Sequence, residues 1–555
     1  MPLALLLLGL LSGLLLAAAA AAAQAASELP VLARIGPWPA LSHPIAFRGR
    51  LWLVNSVKGR NHNAADLYSL DPWRGALRPE RQLFSQDAGA PSVAGGLLYW
   101  PYEDARWSLG WGQVAVTDGT DWRLLTLPAA RSFHTHAIAA LPGRLVAATS
   151  AWRAALQVSD DGGRRWRQVY DQPTPERRVS RIVRLAALGD ALFGSLRMRD
   201  RRHVLRLAGE TVEPAPGLPE GANNAGMARL GDRLFLLLDD ARGWRLWRHD
   251  GAQGAPLGEH RADWRSPVLA AGAETLWVAE SGDGTGGLWR SADGRDWKLY
   301  ARLPGGRPNG IAELGGAVFV TGAGTDGQGL LWGEHPGDAK PEPSTARLPP
   351  RAAEALRFAD WDQAGRRLDG LLDDLASYQG HGRALRDLVF ELARADPPAD
   401  FFASRLARAL PAEELSLIGG ATTPQAAALG RWVLLFGMAL SGAGEVPPAL
   451  LAEPWTTPAN DAEKYFAAPP GAMAALSWNR SPTPEAIAAL IARLGRAGDP
   501  AWLQGDALGA LGAATGKRFG SDVAAWQAWW ETEGSAWRAC AAGRSLPFRA
   551  GAAEC

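Results

Sequence analysis

Cysteine is almost absent: Cys540 and Cys555 are the only two in 555 residues. That excludes a disulfide-built scaffold, and neither residue has the Cys-x-x-Cys spacing of a metal or redox site. The pair either closes a short loop in the tail, as exported proteins favour, or stays as two thiols. A surplus of one charge is also missing. Fifty-eight basic residues face 57 acidic ones, leaving +1, so no nucleic-acid partner is expected. Lysine is reduced to positions 58, 298, 340, 464 and 517, and every other basic residue is Arg. With so much Ala, Gly and Pro, this reads as GC-rich coding bias, so an isolated Arg is a weak sign of an anion site. Catalytic signatures are lacking too: His-Glu-x-x-His, the Gly-x-Ser-x-Gly elbow and the EF-hand loop do not occur. Gly512 to Lys517 is one spacer short of a phosphate loop and lacks its Ser/Thr. No cofactor is expected.

Only one stretch is long and apolar without charge. Leu3 to Ala23 is followed by Ala23-Gln24-Ala25, the small-x-small pattern of a signal peptidase site. Residues 1–25 are therefore read as a signal peptide and the chain as periplasmic or secreted. A retained N-terminal anchor is the alternative, since 21 apolar residues also suffice to span a bilayer. No other membrane attachment is expected.

What is abundant is periodicity. A turn pair followed by an apolar strand recurs seven times, with Leu51, Leu97, Leu145, Leu192, Leu234, Leu276 and Val318 in register. The spacings are 46, 48, 47, 42, 42 and 42. Each unit carries a short apolar strand, a tight turn, the register strand, a variable loop and two further strands. Four strands per period of this length predict a seven-bladed β-propeller over residues 30–335. Blades stack face to face, so their strands read as apolar runs, which accounts for much of the Trp content (25 residues).

Three turns between the last two strands share a plan. Ser159, Asp161, Gly163 and Trp166 mark one copy, Ser291, Asp293, Gly294 and Trp297 a second, and Asp118 with Trp122 a shortened third. Asp oxygens accept turn N–H groups, Gly supplies positive φ, and Trp packs the returning strand. These stretches resemble the Asp-box (BNR) repeat of sialidase-like propellers, in which the box is structural and lies away from the ligand face. The resemblance implies glycoside hydrolysis as one activity. Sialidases use a Tyr nucleophile paired with Glu, and three Arg that clamp a carboxylate. Here Arg34-Ile35-Gly36-Pro37 only approximates the family's Arg-Ile-Pro. Tyr300 reads as an ordinary strand residue, and the adjacent Tyr102 and Glu103 must point to opposite faces. Catalytic members also have six blades rather than seven.

Propellers bind at the channel mouth, through loops entering the innermost strand and leaving the second. That rule selects His43, His134, His136, Arg181, Asn224, Arg265 and Asn309, with Arg60 and His62 on the long first-blade loop. Uncharged imidazole and amide groups suit a glycan or peptide, and they equally satisfy strand-end backbone groups lining a wet channel. His134-Thr135-His136 has a chelating spacing, but no carboxylate is assigned to complete it, so no metal is expected.

A Pro-rich linker, 336–350, separates the repeats from a region where the apolar period becomes 3.6. Leu368, Leu371, Leu372 and Leu375 form a helical stripe, as do Leu385, Leu388, Val389 and Leu392. Thr483-Pro484-Glu485 opens a helix carrying Ile487, Leu490, Ile491 and Leu494 inward. The run from Leu511 to Asp522, continuing to Trp526, Trp529 and Trp530, resembles the terminal cap of bacterial HEAT-like repeat proteins. The expectation is a multidomain chain: an all-β propeller, then an all-α HEAT-like domain over 351–540 and a tail over 541–555. Two architectures that present broad surfaces point to a non-catalytic binding or scaffolding protein with a glycan or protein partner in the envelope. A sialidase-like glycoside hydrolase is the alternative.

Overall fold

The computed structural model describes residues 27–56, 65–104, 112–127, 134–150, 153–172, 179–198, 202–240, 242–282, 285–337, 345–348, 353–375, 382–408, 423–455, 468–479, 482–534 and 536–537. The expected signal peptide, Arg60, His62 and the two cysteines lie outside these residues.

The repeated turn-and-strand units form seven four-stranded antiparallel sheets. Blade 1 spans residues 40–82, blade 2 92–127, blade 3 134–171, blade 4 181–214, blade 5 223–261 and blade 6 268–304. Every register residue lies in the second strand of its blade. All are buried except Leu97, which is half-buried. Blade 7 takes three strands from residues 306–333 and its outermost from the start of the described chain: Val31–Ile35 pairs antiparallel with Gly329–Gly333. The ring is thus closed by hydrogen bonds between the two ends of the repeat region. Because blades pack on both faces, their cores are Leu, Val, Ala and aromatic residues interleaved between neighbouring sheets.

The three turns of shared plan have the hydrogen bonding their side-chain chemistry requires. Asp161 Oδ1 accepts the N–H groups of Arg164 and Arg165 at 3.0 and 2.9 Å, and Trp166 Nε1 donates to Gly163 O at 3.0 Å. Asp293 Oδ1 accepts from Arg295 and Asp296, and Trp297 Nε1 donates to Gly294 O. Asp118 Oδ1 likewise holds Thr120 and Asp121 N–H, while its Oδ2 accepts Leu348 N–H at 3.1 Å. The described parts of 336–350 therefore lie against the blades: Trp73 Nε1 donates to Gly337 O, and the Arg48 guanidinium to Ala346 O.

Nine α-helices follow among the described residues: α1 Trp361–Leu375, α2 Gly382–Arg394, α3 Ala403–Arg408, α4 Thr423–Ser441, α5 Pro448–Ala452, α6 Ala468–Trp478, α7 Pro484–Arg493, α8 Ala501–Thr515 and α9 Val523–Trp529. No helix there is long and apolar enough to cross a membrane. Leu368, Leu371, Leu385, Leu388, Val389, Leu392, Ile487, Leu490 and Ile491 are buried, so the period-3.6 stripes are the core faces. Thr483 Oγ1 and Asp522 Oδ1 cap α7 and α9 by accepting Ala486 and Ala525 N–H. Gly516, at φ +74°, ends α8 in the left-handed conformation that only Gly adopts cheaply, so the Gly-rich run is a helix terminus. Trp526 and Trp529 pack edge to face, 6.0 Å apart.

The helices share one continuous core with blades 1 and 2. Trp52, Trp100 and Trp122 belong to the same buried cluster as Trp432, Trp478 and Trp526. The joint is polar as well: Gln82 Nε2 donates to Asp506 Oδ1 at 3.1 Å, and Arg81 lies 3.7 Å from the Trp478 ring.

Candidate functional site

Innermost strands converge on the channel, and antiparallel order fixes what lies at each mouth. The turns between third and fourth strands and the register turns share one face. The starts of the innermost strands and the ends of the second strands share the other. At that second face five innermost strands are irregular, between Ser42 and Ile45, Thr135 and Ala137, Ile182 and Leu185, Asn224 and Gly226, and Pro308 and Gly310. A bulge inserts an extra residue and re-aims its side chain. His43, His136 and Asn309 occupy such irregularities, Asn224 borders one, and His43 has φ +52°. Arg265 lies in the loop before the innermost strand of blade 6, where its carbonyl accepts Ser281 N–H at 2.8 Å.

Blades 2, 3 and 4 bring one group of the expected residues together around Glu103. Its Oε1 lies 4.0 Å from His134 Nδ1, 3.8 Å from His136 Nδ1 and 3.7 Å from Arg181 Nη1. The two imidazoles stack with centroids 5.5 Å apart. His134 Nδ1 is 2.7 Å from Glu103 O, so that nitrogen is the donor of the neutral ring. Burial holds both rings below the usual histidine range, His136 far below it, where His134, Arg181 and Arg197 add repulsion. Tyr102 points the opposite way, into the core beside Arg81, and is fully buried.

Ser150, at the end of a second strand, lies 2.9 Å from His136 Nε2. Serine, imidazole and Glu103 thus stand in the order of a nucleophile, base and orienting carboxylate. Access decides against that role, because Ser150 is 0% exposed and His136 only 5%. A substrate carbonyl cannot reach the hydroxyl, and the arrangement serves to fix a neutral ring. Among the described residues no three His, Cys, Asp or Glu side chains are placed to hold a metal.

Of a second group, the sequence singled out only Asn224. Between blades 4 and 5 a cavity of about 300 Å³ is lined by Arg184, Arg197, Arg202, Asn223, Asn224, Ser195 and Trp244, together with Leu196 and Ala222. Its described lining residues include three guanidiniums. Arg184 Nη1 donates to Asn224 O at 3.0 Å. Burial, with Arg197 alongside, lowers its guanidinium to about 10. The missed signal was in the register itself: five residues after Leu145 and Leu192 come Ser150 and Arg197, both at second-strand ends on this face.

The residues a sialidase would need lie elsewhere. Arg34 is on the outermost strand of blade 7, paired with Asp326. Tyr300 is on the outermost strand of blade 6, where it donates to Glu334 and meets Trp277 edge to face.

No family model matches this chain. No curated protein matches it either. Among solved structures it is similar to YCF48 from Cyanidioschyzon merolae, at 14% identity and a TM-score of 0.39, over 54% of this chain and 98% of that one. The β-propeller domain of the Trilobed protease from Pyrococcus furiosus is similar at 12% identity and a TM-score of 0.38, over 57% of this chain and 100% of that one. Pyrococcus horikoshii acylaminoacyl peptidase gives 14% and 0.36, over 54% and 52%.

Proposed function

We propose that this is an exported, non-catalytic binding or scaffolding protein of the periplasm or cell exterior. Its channel face and helical surface take a glycan or protein partner of the envelope. The observation that carries this reading is the cavity between blades 4 and 5, a concave polar site at a channel mouth with donors converging on it. Neutral imidazoles and Arg181 extend the same face toward blade 2. The Asp-box (BNR) resemblance belongs to this reading as a turn device of the opposite face, and the HEAT-like resemblance as an array that presents surface. Cleavage of residues 1–25 belongs to it as well.

The test is a glycan array and an envelope pull-down with wild type and Arg181→Glu. Reversing one charge beside Glu103 is expected to weaken retention of a channel-face ligand at least tenfold, the loss of one charge-assisted contact. Undiminished retention by Arg181→Glu would remove the channel face from the account. Turnover of a defined ester or glycoside that His136→Gln abolishes would replace binding with catalysis.

A further inference from the structure

We propose that the cleft between blades 2 and 3 and the helices docks an extended acidic peptide of a partner protein, added as a strand along the outer edge of blade 2. The proposal rests on the reading that this is a binding protein, and it gives the protein partner a site apart from the channel face.

Three observations converge. The first is an open strand edge. The cleft encloses about 640 Å³, and residues 123–126, on the outermost strand of blade 2, form one wall. Successive strand residues point to opposite faces. Leu124 accordingly packs on the core shared with the helices, and Leu125 on the core between blades 2 and 3. A space that touches all four residues therefore runs along the edge of the strand, where an extended peptide adds its main-chain hydrogen bonds. The second is charge. The turn of blade 3 brings Arg164 and Arg165, both exposed, and α2 brings Arg394. Asp161 and Glu354 line the cleft too, but Asp161 Oδ1 holds the backbone N–H groups of Arg164 and Arg165, and Glu354 pairs with Arg394. With Arg123 the lining set has four guanidiniums against those two carboxylates. Residues 128–133, 349–352 and 480–481, which adjoin it in sequence, contain no Asp or Glu. Burial and then Arg165 lower the Arg394 guanidinium, a sign of how closely these cations converge. The third is unmet polarity. Trp478 Nε1 and Thr126 Oγ1 have no hydrogen-bond partner among the described residues, and their side chains are 1% and 5% exposed. Buried donors are nearly always satisfied, so these two mark where a ligand carbonyl belongs.

The walls select the occupant. A strand added to blade 2 has one face toward the helices and the other toward the turn of blade 3. The helical side offers Phe390, Ala439 and Leu440, which suit apolar side chains. The turn offers Arg164 and Arg165, which suit carboxylates. Side chains of an extended peptide alternate between those faces, so the fitting sequence alternates acidic and apolar residues. A plain acyl chain leaves the indole N–H and the threonine hydroxyl unmet. A neutral saccharide makes no use of the arginines. A dense polyanion has nothing to cover the apolar wall and is repelled by Asp161 and Glu354.

The experiment is fluorescence anisotropy of labelled decapeptides titrated with the full chain. One alternates Asp and Val, and a second alternates Lys and Val. A third is the Asp–Val peptide with every amide N-methylated, which removes its strand-pairing donors. The Asp–Val peptide should bind, and the other two at least about tenfold more weakly. Arg164→Gln combined with Arg165→Gln changes exposed side chains only, so it should fold as wild type and weaken the Asp–Val peptide at least about tenfold. Thr126→Val deletes an unmet buried hydroxyl, so it should raise the melting midpoint and weaken the peptide about threefold. Arg181→Glu, on the channel face, should bind the peptide as wild type does. Absence of Asp–Val binding, equal binding of the N-methylated peptide, or indifference to the arginine pair each overturns the site. Loss of the peptide in Arg181→Glu does so too, since it moves the peptide to the channel face. Heparin and myristate serve as competitors, and tighter binding of either at this cleft overturns the choice of a peptide. If the peptide fails while Arg181→Glu still releases a channel-face ligand, the binding reading survives without this cleft. If neither face retains anything, both fall.

Discussion

His136 is fixed as a neutral ring by its surroundings, and the sign of its titration follows. Its value in the folded chain lies well below the ordinary one near 6.5, first through burial and then through His134, Arg181 and Arg197. Between those two values the unfolded chain binds a proton that the folded chain refuses, so stability falls as pH falls below about 6.5. The slope contributed by one such group is at most about 1.4 kcal/mol per pH unit. His136→Gln should therefore flatten the loss of stability between neutral and mildly acidic pH. Denaturant melts at paired pH values check it, and an unchanged slope would mean the ring is protonated in the folded state. The polar residues at this face were partly legible in the sequence. Counting to the start of each innermost strand found His134, His136 and Asn224. The same count to the end of each second strand would have found Ser150 and Arg197. Arg184 lies deeper in its strand, and only the irregularity beside it explains its place in the cavity wall.

Elements were the most legible level, because their signals are local. A period of two or 3.6, a turn pair and a cap each act within a few residues, and Thr483 and Asp522 cap as their side-chain chemistry dictates. Ion pairs between elements depend on chain reversal and leave no such trace. Arg493, at the end of α7, is the clearest case. Its Nε lies 2.8 Å from Asp499 Oδ2, with the two side chains 1% and 2% exposed. Its Nη1 donates to Leu451 O and Glu453 O at 2.7 and 2.8 Å, satisfying carbonyls at the end of α5. Arg493→Ala should cost about 3–5 kcal/mol, because it leaves a buried carboxylate and two carbonyls without their partner. Urea unfolding measures this, and a cost under about 1 kcal/mol would show the pair to be solvated in the manner of a surface bridge.

At the scale of the whole molecule, periodicity counted the blades but could not close the ring. Closure depends on Val31–Ile35 finding Gly329–Gly333, a pairing between the two ends of the repeat region with no local signature. Nor could the change of period at the linker reveal that the two regions share a core. The Pro-rich composition suggested separation, whereas Arg81 inserts between Trp122 at 5.7 Å and Trp478 at 3.7 Å. Burial lowers its guanidinium to about 10, so the cation is held by ring faces, by Tyr102 and by Ser477 O at 3.3 Å rather than by water. A joint of this kind couples the unfolding of the helices to that of blades 1 and 2. Wild type should accordingly melt in one calorimetric transition. Arg81→Ala combined with Gln82→Ala removes the cation between the indoles and the bond to Asp506, a loss of roughly 2–4 kcal/mol across the joint. The helices should then melt first and the propeller separately, since the ring retains its own closure. A single transition in the double variant would mean that the apolar part of the shared core couples the two regions without these polar contacts.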